Sequence, residues 1–118
     1  MFSSYVVVRF GYLNRGEYMN IAVMAWESHA GLETPVLKQI LTDWARVHMA
    51  FPRAGGIALQ EDVIQRLGKI HTLADYMSAS DRIGPYSPIE FSESRPSTCT
   101  ARDLLTSMGS YFLGPYQG

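Results

Sequence analysis

Two apolar runs within the first twenty-six residues constrain this chain more than anything else in it. Tyr5-Val6-Val7-Val8-Arg9-Phe10 is dense in β-branched and aromatic side chains, the types that pack well on a pleated surface. Tyr18-Met19-Asn20-Ile21-Ala22-Val23-Met24-Ala25-Trp26 is apolar at odd and even positions alike. Successive side chains of a strand point to opposite faces, so a run apolar in both registers needs cover on both sides. That places it inside a sheet. Between the runs lies Gly11-Tyr12-Leu13-Asn14-Arg15-Gly16-Glu17, whose glycines and asparagine supply the positive φ angles of a tight connection. The chain therefore opens with an antiparallel hairpin.

Ser28–Gly31 reads as a turn, and Pro35–Leu41 as a third strand extending the meander. Thr42 is a candidate N-cap for a helix over Asp43–Phe51, with Trp44, Val47, His48 and Phe51 on one side. Pro52 and Gly55-Gly56 break it. A longer helix over Gln60–Met77 follows from Val63, Ile64, Leu67, Ile70, Ala74 and Met77 at helical spacing, with Glu61 and Asp62 favoured near a positive N-terminal dipole. Ile89–Glu93 alternates like an edge strand that Pro96 ends, and Thr100-x-x-Asp103 resembles a capping box opening a last helix. The order β-β-β-α-α-β-α predicts an α+β domain over residues 1–113, with an antiparallel-rich sheet and helices packed on one face. Residues 114–118 read as a frayed tail.

Composition narrows the function classes. At 118 residues the chain is one domain's worth, and 47% apolar content supports a core without staples. A net charge of −1 argues against a nucleic-acid binder, which would carry a basic stripe. The single cysteine, Cys99, excludes an internal disulfide and suits a reducing compartment; with no leader-like run and no membrane-length apolar stretch, the expectation is a cytoplasmic protein off the membrane. Phosphate-loop, zinc-protease, nucleophile-elbow and paired-cysteine signatures are absent, and His29, His48 and His71 lack ligand-like spacing, so no cofactor or metal is expected.

Candidate site residues gather around the hairpin. Arg9 closes one apolar strand and Asn20 interrupts the other, and a polar group on a covered strand must find partners or cost a few kcal/mol. Two readings stay open. Arg9 pairs with Glu17 across the hairpin while Asn20 ties down the loop backbone, or Arg9, Arg15, Glu17 and Asn20 line a pocket or docking surface at the sheet end. Asp43 and Arg46, with Glu90, Ser92, Glu93 and Arg95, form a second polar group. Glu90 and Glu93 sit three apart on a strand, hence on opposite faces, and read as solvated rather than as an acid–base pair.

Tyr5-x-Val7-Val8-Arg9-Phe10 followed by Arg15-Gly16-Glu17-Tyr18-x-Asn20-Ile21-Ala22-Val23 resembles the opening of a bacterial and phage family catalogued as a domain of unknown function, number three thousand and thirty-seven. Asp43-Trp44-x-Arg46-Val47 and Glu90-Phe91-x-Glu93-x-Arg95-Pro96 look similar too, with Ala22 standing where glycine is commoner. The resemblance implies positions rather than a mechanism, singling out Arg15, Glu17 and Asn20. Relatives encoded near kinase-like proteins make such a protein the implied partner.

The expected function is a non-catalytic interaction or regulatory module docking through the hairpin end of its sheet. The alternative is an enzyme or nucleotide- or anion-binding module in which Arg9 and Arg15 grip the ligand and Glu17 or Asp43 serves as base. The edge Ile89–Glu93 could also pair with a second copy.

Overall fold

The two apolar runs form the longest strands, β1 (Ser3–Tyr12) and β2 (Glu17–Glu27), paired antiparallel as a hairpin. The computed structural model describes residues 2–12, 16–28, 31–51, 56–83, 87 and 89–113. Within them follow β3 (Leu37–Ile40), α1 (Ala45–Ala50), α2 (Gly56–Gly68), α3 (Leu73–Asp81), β4 (Ile89–Phe91), β5 (Arg95–Ser97) and α4 (Ala101–Leu113). The sheet runs β3-β2-β1-β4, with β5 pairing β1 beside β4, and every pairing is antiparallel. The fold is α+β, led by its N-terminal hairpin.

Register explains the two-faced apolar run. Val6 opposes Met24 and Val8 opposes Ala22 on one face, while Tyr5 opposes Ala25 and Val7 opposes Val23 on the other. All of these except Tyr5 are buried. The helices, expected on one face, divide between both. On the Val6–Val8 face Phe10 meets Trp44 and Phe51 edge-on at 5.8 and 6.1 Å, and Trp26 meets Tyr76 of α3 at 5.0 Å. Lys38, opposite Met24, donates Nζ–H to the Ile70 carbonyl beyond α2 at 2.6 Å. On the other face α4 lies across the hairpin: Ala25 clusters with Ala101 and Leu104, and Tyr5 meets Phe112 at 6.2 Å. Helices on one side alone would leave Val7, Val23 and Ala25 in water, at a cost of about 1.5–3 kcal/mol for each valine.

Local chemistry moves several element boundaries. The third strand is Leu37–Ile40, since Pro35 makes only an isolated bridge to Thr72. The first helix starts at Ala45, not Asp43; Trp44 is its N-cap, and the Thr42 hydroxyl is not the cap. Asp43 Oδ1 accepts the Ala45 N–H at 3.0 Å, and Trp44 donates its indole N–H to the Leu41 carbonyl at 2.8 Å. The single helix expected over Gln60–Met77 is two. Gly68 ends α2, and Thr72 opens α3 with a full capping box in which Thr72 and Asp75 satisfy one another's backbone N–H groups. Glu61 and Asp62 therefore sit mid-helix; Asp62 pairs with Arg66 one turn on at 3.0 Å.

The expected edge strand Ile89–Glu93 is shorter, and Pro96 lies inside a strand rather than ending one. From Val8 to Tyr5, β1 takes three steps while its neighbour takes four from Phe91 to Arg95, so β4 and β5 are one edge strand interrupted by a bulge. Ser92 spans the gap: its N–H donates to the Val7 carbonyl at 2.8 Å, and its hydroxyl oxygen accepts the Val7 N–H at 2.8 Å. A short, bulged edge carrying a proline offers little to a second copy. No helix among the described residues is long and apolar enough to cross a membrane.

Candidate functional site

A one-residue irregularity in the hairpin decides which polar side chains meet. Val8 opposes Ala22, but the next pair is Arg9 with Asn20, leaving Ile21 as an extra residue of β2. The Ile21 carbonyl accepts the Leu41 N–H at 2.7 Å, so the extra residue is tied to the end of β3. In unbroken register Asn20 would stand opposite Phe10, among Trp44 and Phe51. The bulge instead turns Asn20, and Tyr18 two residues before it, to the Arg9 face.

On that face the side chains form a row across three strands. Glu90 of β4 opposes Arg9 and receives its Nη1–H at 3.2 Å. Arg9 lays its guanidinium over the Tyr18 ring, 4.9 Å from the centroid, within the range of a cation–π contact. Asn20 donates Nδ2–H to the Phe112 carbonyl in the last turn of α4 at 3.3 Å. The Arg9 side chain is three-quarters covered, and its buried Nε has no hydrogen-bond partner among the described residues. Tyr18 keeps 47% of its surface exposed. The result is an aromatic platform whose orientation is set by its neighbours.

Gly11 makes this corner possible. It opposes Tyr18 with φ of +149°, inside β1 rather than in the loop. A side chain there would come within 3.0 Å of the Glu17 carbonyl, the Tyr18 Cα and the Phe51 ring.

The five described residues among the six singled out by sequence do not converge. Arg9 and Asn20 share the row just described, but Arg9 pairs with Glu90 and not with Glu17, and Asn20 holds the end of α4 rather than the loop backbone. Glu17 is exposed at the start of β2, opposite Tyr12, and strand alternation puts it on the face away from Tyr18 and Asn20. Asp43 and Arg46 are exposed at the beginning of α1, on the side of the sheet that Trp44 packs against. Arg15 lies outside the described residues. Glu90 and Tyr18 complete the row in their place. Alternation in Ile89–Glu93 marks Glu90 as facing away from Ile89 and Phe91, but only the long-range pairing with β1 brings it to Arg9.

Tyr76 is wedged between Trp26 and Phe91, and burial pushes its hydroxyl above the usual tyrosine range. Cys99 is exposed, just before Thr100, whose hydroxyl accepts the Asp103 N–H at 3.2 Å. Among the described residues no three His, Cys, Asp or Glu side chains gather as a metal site requires. No protein-family model, curated protein or solved structure matches the chain.

Proposed function

We propose that this chain is a non-catalytic interaction module that docks another protein through the hairpin end of its sheet. The observation supporting this reading is the row Glu90–Arg9–Tyr18, which fixes a half-exposed tyrosine ring before any partner arrives. Tyrosine and arginine are over-represented where interfaces concentrate their binding energy. A ring already held by its neighbours loses less rotamer freedom on docking, worth about 0.5–1.5 kcal/mol for each side chain immobilised. The partner is a protein surface offering an apolar contact to the ring and a hydrogen-bond partner to its hydroxyl. The kinase-like protein implied by the family resemblance is the first to test, and membership of that family is part of the proposal.

The anion-binding alternative loses ground at Arg9. Its charge is already matched by Glu90, so an incoming phosphate would have to displace a carboxylate or share the cation with it.

The test is affinity capture with wild type, Tyr18→Ala and, as a distant control, Met49→Ser on the exposed surface of α1. All three should melt within a few degrees of one another. Wild type and Met49→Ser should recover a common partner that Tyr18→Ala loses. Equal recovery by a folded Tyr18→Ala would overturn the assignment of this surface.

A further inference from the structure

We draw no further inference here: the strongest candidate, the exposed apolar surface patch formed by Leu32 in the β2–β3 connection and Met77 on α3, which the hydrogen bond from Ala74 N–H to the Leu32 carbonyl ties together, carries nothing because nothing in the structure shows what covers it.

Discussion

Replacing Gly11 by alanine tests the construction of the hairpin end directly. Two costs add at this position. The added Cβ would lie within 3.0 Å of two backbone atoms, the Glu17 oxygen and the Tyr18 Cα, and of the Phe51 ring. Backbone cannot swing aside as a flexible side chain can, so overpacking falls at the upper part of its range of about 1–3 kcal/mol. A φ of +149° is also a conformation that alanine reaches only with strain, for a further ~1–2 kcal/mol. The expected loss is about 3–5 kcal/mol, a large part of the ~5–15 kcal/mol that holds a domain folded. At about 2.1 cal/mol/K of unfolding entropy per residue, a chain of 118 residues loses roughly 4 °C per kcal/mol, so the melting temperature should fall by about 12–20 °C. Gly16→Ala is the internal standard. Its φ is +72° and nothing among the described residues lies within 4 Å of an added Cβ, so it should lose only the ~1–2 kcal/mol of backbone strain. Urea titration followed by fluorescence of the buried Trp26 and Trp44 measures both variants. If Gly11→Ala were no more destabilised than Gly16→Ala, the close approach of β2 and Phe51 to this residue would not exist.

Three further outcomes follow from single contacts. Ser92→Ala leaves the Val7 N–H without its hydroxyl acceptor in a buried position, which should cost about 1–3 kcal/mol and speed amide exchange at Val7 more than at Val23. Glu27→Ala removes the carboxylate that accepts the Ala101 N–H at 2.7 Å; the expected loss is about 1 kcal/mol, read as a lower urea midpoint at unchanged slope. The N–H groups of His71 and Thr72 hold the Asp75 carboxyl below its ordinary value of 3.8. A carboxyl depressed in the folded state contributes stability above the unfolded value and loses it as pH falls from there through the folded one. Wild type should therefore lose stability below about pH 4 more steeply than Asp75→Asn, in thermal melts taken between pH 5 and 2.

The central architecture was legible because it rests on local pattern. An apolar run in both registers, rich in β-branched and aromatic side chains, suits a covered strand, and glycines between two such runs close a hairpin. The same observation already argued against helices on one face, since Val7, Val23 and Ala25 needed cover that α4 provides. The split between α2 and α3 was written in Thr72-x-x-Asp75, but the apolar stripe continues through Ile70 and Ala74 and hides the interruption. Pro96 misled for a different reason: proline removes one donor, which an edge strand can spare. The site was less legible. Arg9 and Glu90 are eighty-one residues apart, and one extra residue, Ile21, reverses the side on which Asn20 and Tyr18 emerge. Spacing along the chain carries no record of either fact.

β1 is stitched along one margin to the strand that follows it at once, and along the other to two short pieces near residues 90 and 96. During synthesis the first margin closes almost as soon as it emerges, while the second waits for three helices to be made. A nascent chain halted at residue 85 would hold a hairpin with one naked flank, available to chaperones or to a neighbour's strand. The closing Ser92–Val7 bonds are thus a late seam, joining two segments made 85 residues apart.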